Sequence, residues 1–463
     1  MQKRAFTKQK VIISPQNNNS DSTFSATSFP QIQFVLSGFP GLADFKTLRL
    51  NYTYEIVNSG DLPPVNTPAV ADANNRNGIA NSNRVGTASA ISQVNVSTGN
   101  GRNIETINNF NRYLATIAPQ QMNQFDFINT FQGNDPTMST KSVGGARQLN
   151  VPVQVSTPIR TGFLSNSTPV NLSQKGIHGC IINILLDMNQ NVIGPYFIPV
   201  QDDSATNSLT PVTAGVVGTE NFKYKLKNVF LSYDVYVPSD EVYSSMPSSG
   251  QMTFNTINSM QSTLLSNDQT LTLRTGIKNL ISVTHSLIAS VHTNNLVQDG
   301  MALERLTVNP QADTSGTAVP LNTAQYFKGG SLFPYNSVLD SSAQALVDNP
   351  QSQIIQPAVD SVTLYDSDDT IVNPMTSTQG LNTSQGFSAQ QKALPPTQTP
   401  DPNSNFVLGV PFDLSQQGVN FSKDDYAIRL QSGLNGLTPF QFGSYFRCRN
   451  VLQYSPNGVE VLE

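Results

Sequence analysis

The sequence predicts an all-β protein made of two consecutive β-sandwiches, with long loop insertions and few short helices. Many short segments alternate apolar and polar residues, their connections are rich in Asn, Ser, Gly and Pro, and two halves of similar length share this pattern. At 463 residues, the chain is long enough for two or three domains that each bury a core. The irregular spacing of the strands excludes a propeller or a solenoid of fixed period.

The first 28 residues are predicted to form a polar arm with a basic tip. Its positive charges are Lys3, Arg4, Lys8 and Lys10, and a run of asparagines follows them. Such a tip suits contact with nucleic acid, an anionic membrane or an acidic partner, and an unstructured solubilising tail is the equal alternative. The apolar run after the tip is only Val-Ile-Ile, which is too short for a secretion signal.

The first sandwich is predicted over residues 29–242. Residues 47–56 alternate strictly between apolar and polar side chains, which is typical of a half-buried strand. Residues 61–103 contain few large apolar side chains and predict a long loop excursion. A helix is predicted over residues 107–117. Further strands are predicted at residues 31–36, 149–155, 177–188 and 222–237.

The second sandwich is predicted over residues 243–463, after a boundary segment rich in Ser and Pro. A second loop excursion is predicted at about residues 373–405, where breakers again dominate. Short helices are predicted at residues 323–327 and 341–347. The predicted strands are residues 269–274, 280–291, 360–365, 406–412, 426–431, 446–454 and 459–462.

The chain has three histidines, which limits the chemistry available to it. His285 and His292 lie in a segment whose Thr, Val and Ile content predicts a strand, and their odd separation places them on opposite faces. Shared metal ligation is therefore not expected. His178 lies two residues from Cys180, whereas a nucleophilic Cys–His pair meets across a pocket, so we expect a structural role.

No nucleotide-binding, metalloprotease or hydrolase motif occurs in the sequence. The acidic run at residues 366–369 lacks the spacing of a calcium loop and is interpreted as a solvated hairpin tip. Cys180 and Cys448 lie in apolar stretches and are predicted to be buried, reduced thiols. We therefore expect no enzyme, no catalytic residue, no metal and no cofactor, and a structural or binding protein instead.

The low charge of the chain indicates what its surface contacts. Charged residues make up 12%, about half the usual share, and Asn, Gln, Ser and Thr replace them. The net charge of −5 argues against a dedicated nucleic-acid binder. A surface of neutral hydrogen-bonding groups suits packing against other protein.

Several segments together resemble the double jelly-roll major capsid proteins of the virophage and polinton-like virus group. The resemblance covers about residue 30 to the last residue, and depends on the order and spacing of strand-and-turn motifs that are weak individually. These motifs are residues 168–172 (TPVNL), 176–186 (GIHGCIINILL), 224–235 (YKLKNVFLSYDV), 405–413 (NFVLGVPFD), 426–430 (YAIRL) and 454–461 (YSPNGVEV).

This resemblance implies that both sandwiches are jelly rolls and that the protein is a major capsid protein. Three chains would form a pseudo-hexameric homotrimer, the capsomer, which tiles an icosahedral shell with neighbouring capsomers, penton proteins and minor capsid or cement proteins. The basic arm would face the genome or an inner membrane. The protein would be made in the host cell without a secretion signal and reside in the virion.

Two other functions fit the same all-β pattern. A β-sandwich adhesin or carbohydrate-binding protein would use the Asn-rich loops and surface tyrosines, although no secretion signal is recognised. A minor capsid or penton protein with one jelly roll would need only about half of this chain.

Overall fold

The structure is a computed structural model. It describes residues 5–17, 23–36, 41–58, 75–80, 86–121, 146–147, 150–199, 210–211, 222–266, 268–273, 276–289, 311–312, 317–318, 321–334, 339–340, 361, 408–415, 417–432 and 440–462. The predicted loop excursion at 373–405, the helix at 341–347, the acidic run at 366–369 and His292 all lie outside this set.

Strands dominate both halves of the chain. The first half contains β1 (Phe6–Ile13), β2 (Thr23–Phe24), β3 (Gln31–Leu36), β4 (Leu42–Asn58), β5 (Asn75–Ala80), β6 (Ile91–Thr98), β7 (Asn103–Asn108), α1 (Phe110–Gln121), β8 (Ala146–Arg147), β9 (Val153–Pro158), β10 (Val170–Asn171), β11 (Cys180–Leu186), α2 (Asn189–Val192), β12 (Gly194–Pro199), β13 (Thr210–Pro211) and β14 (Phe222–Pro238). The second half contains α3 (Asp240–Ser245), β15 (Gly250–Leu264), β16 (Asp268–Leu273), β17 (Leu280–Ala289), β18 (Gln311–Ala312), β19 (Thr317–Ala318), β20 (Leu321–Lys328), β21 (Ser331–Leu332), β22 (Leu339–Asp340), β23 (Leu408–Pro411), β24 (Tyr426–Ser432), β25 (Phe440–Ser455) and β26 (Gly458–Leu462).

The first sandwich consists of two antiparallel sheets. Sheet I has the order β1-β14-β4-β10, with β2 beside β14 and β9 beside β4, and sheet II has the order β3-β11-β6-β7. Alternate residues of each strand face the space between the sheets, as in Phe34, Leu50 and Ile182, which are fully buried. A smaller sheet III, of order β13-β12-β5-β8, extends this half.

The second sandwich repeats the arrangement. Sheet IV has the order β15-β25-β17-β23 with β26 beside β25, and sheet V has the order β16-β24-β20-β21 with β22 beside β20. An aromatic cluster fills the space between them, and in it Tyr426 meets Phe446 edge-on at 5.2 Å between ring centroids. The predicted two-sandwich, all-β architecture with few short helices is confirmed.

Two predictions in the first half are wrong. Most of the described part of the predicted loop at 61–103 is ordered secondary structure, because β6 is a central strand of sheet II and buries Val94 and Val96. Part of the predicted arm is a strand as well. Residues 6–13 form β1, which pairs with β14 along its whole length at the edge of sheet I.

Two features of the second half also differ from expectation. The predicted helix at 323–327 is part of β20, where Ala324 and Tyr326 face the core at the two-residue period of a strand. The long strand β15, which pairs with β25 from Gly250 to Leu264, has no counterpart among the predicted strands. The predicted boundary between residues 242 and 243 falls inside α3 and stays a prediction.

Candidate assembly surfaces

Residues 6–13 of the basic arm form the edge strand β1. In β1, Lys8 binds Asp234 of β14 with 3.0 Å between Nζ and Oδ2, and its ammonium lies 5.6 Å from the centre of the Tyr236 ring. The hydrogen bond to Asp234 raises the pKa of Lys8. Lys10 is exposed on the same strand, and Lys3 and Arg4 lie outside the described residues.

The outer face of sheet I is charged. On β14, Lys223, Lys225 and Lys227 point away from the core, and Lys227 binds Glu55 of β4 at 2.5 Å. Arg49 of β4 adds a further positive charge to this face. A face with both signs of charge is typical of a solvated surface.

The outer face of sheet II differs from that of sheet I in its charge. Every outward residue of β3, β11, β6 and β7 is uncharged, and cross-strand pairing aligns Gln33, Asn183, Asn95 and Thr106 in one row across the sheet. Asn95 Nδ2 donates to Thr106 Oγ1 at 2.6 Å. We call this surface, the outward side of β3, β11, β6 and β7, the amide face.

A buried carboxylate joins the two sandwiches. Glu105 of β7 is 2% exposed and accepts backbone N–H bonds from Gly162 at 2.9 Å, Phe163 at 3.0 Å and, across the junction, Ile257 of β15 at 2.5 Å. Burial raises the pKa of Glu105 to about 7, although these N–H bonds act in the opposite direction. The Ile257 N–H belongs to an edge strand, and Glu105 satisfies it.

The helix α1 forms the other half of the junction. It lies on the outer face of sheet IV, where Tyr113 packs against Tyr445 of β25 with 5.2 Å between ring centroids. Arg112 Nη1 donates to Gln441 Oε1 at 2.5 Å. Both tyrosines are almost fully buried, so the two sandwiches share a packed interface.

A lysine holds the segment that links the two sandwiches. Lys175 Nζ donates to the carbonyl oxygens of Tyr243 at 2.8 Å, Ser244 at 3.1 Å and Met246 at 3.2 Å, at the C-terminal end of α3. A cation at this end of a helix interacts favourably with the last carbonyl groups and with the helix dipole. The linking segment is therefore fixed to the first sandwich.

The described histidines and both cysteines have structural environments. His285 is buried between the hydroxyls of Tyr426 at 2.9 Å and Ser444 at 3.0 Å, and burial lowers its pKa to about 3. His178 has a positive φ of 58° and contacts the Ser455 carbonyl through Nε2 at 3.3 Å, as expected for a structural role.

Cys180 and Cys448 are both buried and free, as predicted, and burial raises the pKa of Cys180 to about 12. A thiol with such a pKa is unreactive at neutral pH. Among the described residues, no group of His, Cys, Asp and Glu is arranged to hold a metal, and no helix has the length and apolarity to cross a membrane.

Comparisons with known proteins identify the fold. No protein-family model and no curated protein sequence matches the chain. Among solved structures, the chain is similar to PBCV-1 VP54 fitted into a reconstruction of the virophage Sputnik, with a TM-score of 0.56 and 12% identity over 100% of this chain and 98% of that one.

The Faustovirus major capsid protein is similar with a TM-score of 0.55 and 10% identity, over 97% of this chain and 91% of its own. A quasi-atomic model of the PBCV-1 virus capsid is similar with a TM-score of 0.54 and 10% identity, over 100% of this chain and 98% of its own. The two sandwiches therefore have the double jelly-roll fold that these capsid proteins share, which confirms the expected fold.

Proposed function

We propose that this protein is the major capsid protein of an icosahedral DNA virus, and that its role is structural rather than catalytic. The observation that carries the proposal is the pair of jelly rolls in one chain, matched to capsid structures over at least 97% of its length. Three such chains place six sandwiches around a threefold axis, so a trimer can occupy a sixfold position of a lattice.

The surface chemistry supports the same function. With 12% charged residues and a wholly uncharged outer face on sheet II, the molecule has little to repel a neighbouring copy. The proposed partners are copies of this chain, in the trimer and in neighbouring capsomers, together with penton and minor capsid or cement proteins. The proposed location is the shell of the virion.

We further propose the two finer assignments that the sequence suggests. The order of the strand motifs supports the virophage or polinton-like virus group, and residues 29–242 and 243–463 are proposed as the two rolls. The basic arm is proposed to face the genome or an inner membrane. The positive residues Lys3, Arg4 and Lys10 support this, whereas Lys8 is engaged by Asp234.

The oligomeric state tests the capsid function. We expect the purified chain to elute near three times its own mass at micromolar concentration, because obligate interfaces bury more than about 2,000 Å². Size-exclusion chromatography with light scattering measures this. A stable monomer that binds glycans would favour the adhesin alternative and contradict the proposal.

Binding of anionic ligands tests the arm. We expect the double variant K3Q/K10Q to keep the trimer but to weaken binding of duplex DNA or of anionic vesicles, whichever the arm contacts. For DNA, the slope of log K against log salt should fall by about 0.9 for each lost phosphate contact. The matched control K223Q/K225Q removes two lysines from the outer face of sheet I. Equal effects of both variants on both ligands would contradict a special role for the arm.

A further inference from the structure

The amide face contains an acceptor that the described chain leaves unsatisfied. Asn183 lies at the centre of the face, between Gln33 on β3 and Asn95 on β6, and its Oδ1 is buried without a hydrogen-bond donor among the described residues. Such buried acceptors are rare in folded proteins, because each one loses about 1–3 kcal/mol of hydration. This oxygen is already covered by the chain itself, so it is a cost of building the uncharged row and not a contact point for another molecule.

The absence of charge on this face is specific to it. Sheet I belongs to the same sandwich, yet its outer face has Arg49, Lys223 and the Lys227–Glu55 ion pair. The low overall charge of the chain therefore does not explain the amide face by itself. A charge placed in a permanent protein interface would have to lose its hydration, whereas amides and small apolar groups can be buried with their hydrogen bonds satisfied.

Apolar side chains complete the surface. Leu185 is 39% exposed, and Val35 and Ile181 are partly buried beside the amide row. Four strands about 4.8 Å apart and about 20 Å long give a footprint of roughly 400 Å². That is about half of the ~800 Å² that each partner contributes to a standard interface. The face is large enough to be a main part of a stable contact but not all of it.

We propose that the amide face is buried against a second copy of this chain within the same trimer. This inference rests on the proposed capsid function and assigns one of its contact surfaces. The occupant is a second copy because an uncharged face fits an uncharged partner, and 12% charge makes this chain itself such a partner. The amide face supplies about half of a standard interface, and the remaining area of the trimer contact comes from other surfaces of the chain.

The test places a positive or a negative charge on the amide face. It compares the effect on trimer formation with that of the same substitution on the outer face of sheet I. Gln33 is on β3 in this face, and Gln154 is on β9 in the outer face of sheet I. We expect Q33K and Q33E each to weaken trimer formation by about two orders of magnitude or more, because each buries an unpaired charge. Q154K and Q154E should remain trimeric. Light scattering across a dilution series measures this, and circular dichroism confirms folding.

Each other outcome would overturn the inference. Trimers of normal stability for Q33K and Q33E, even if these failed to form shells, would place the face outside the trimer. A charge of one sign that strengthens association would indicate an oppositely charged partner. If a Gln33 variant does not fold, Q31K at the exposed rim of the face is the substitute, and an unchanged trimer would count against the inference. A monomeric wild-type protein would instead contradict the capsid function itself.

Discussion

Replacing Glu105 by alanine is expected to lower the free energy of unfolding by about 3–6 kcal/mol. The carboxylate accepts the backbone N–H groups of Gly162, Phe163 and Ile257 inside the junction of the two sandwiches. Alanine leaves these three donors buried without an acceptor, and each such loss costs about 1–3 kcal/mol. The matched control is Glu460→Ala on β26, where the side chain is exposed and the change should stay within about 0.5 kcal/mol.

The same residue predicts a dependence of stability on pH. Burial raises the pKa of Glu105 from 4.5 to about 7, so the folded protein binds this proton more tightly than the unfolded chain does. The contribution of Glu105 to the free energy of unfolding is therefore greatest below about pH 4.5. It falls by about 3 kcal/mol in total as the pH rises past about 7. The groups that contact it are backbone amides and the Thr161 hydroxyl, which do not titrate in this range.

Urea denaturation at pH 5 and pH 8, at one fixed protein concentration, measures both effects. The variant E105Q keeps one oxygen acceptor and has no titrating proton, so we expect a smaller loss of stability than in E105A and the disappearance of this part of the pH dependence. A pH dependence that E105Q leaves unchanged would show that other groups cause it.

Much of the fold could be predicted because the two-residue period is strong where one face of a strand is buried. In β4, Leu48, Leu50 and Tyr52 alternate with polar residues, and β14 and β24 follow the same rule. For such strands the pattern alone reveals both the element and its buried face. The helix predicted at residues 107–117 is confirmed only in part, because residues 107–108 belong to β7 and α1 begins at Phe110.

Three strands, β15, β6 and β1, were not predicted for a common physical reason. Each contains few apolar residues in the alternating pattern that marks a strand. The strand β15 lies at the edge of sheet IV and is stabilised by backbone pairing with β25, so few of its side chains need to be apolar. The outward residues of the strand β6 belong to the neutral amide face, so its composition resembles that of a loop. The strand β1 is exposed along most of its length.

The candidate surfaces were predicted only in part. The charge deficit of the chain indicated a surface for protein neighbours, but the sequence does not show that the neutral residues gather on one sheet. That follows from the pairing of β3, β11 and the β6–β7 hairpin, which come from three separate parts of the chain. The role of Glu105 was missed for the same reason, since its partners Gly162 and Ile257 are 57 and 152 residues away.

Replacing Gly162 by alanine is expected to destabilise the protein by about 3 kcal/mol through the same junction. Gly162 lies so close to β15 that an added Cβ would stand 2.6 Å from the Asn255 carbonyl oxygen and 2.7 Å from the Thr256 Cα. Both are backbone atoms of the second sandwich and cannot rotate away, so the two sandwiches must separate slightly, and overpacking of this kind costs about 1–3 kcal/mol or more. The control is Ser167→Ala, an exposed position on the following stretch of chain.

The separation should be detectable at one particular amide. Moving Gly162 away from β15 also pulls Glu105 from the Ile257 N–H, so this edge-strand amide should exchange with solvent faster in G162A. Hydrogen exchange of peptides covering residues 250–264 measures it, with β24 as an internal reference that should not change. If exchange rose equally in β24, the glycine would be supporting the whole fold rather than the contact between the two jelly rolls.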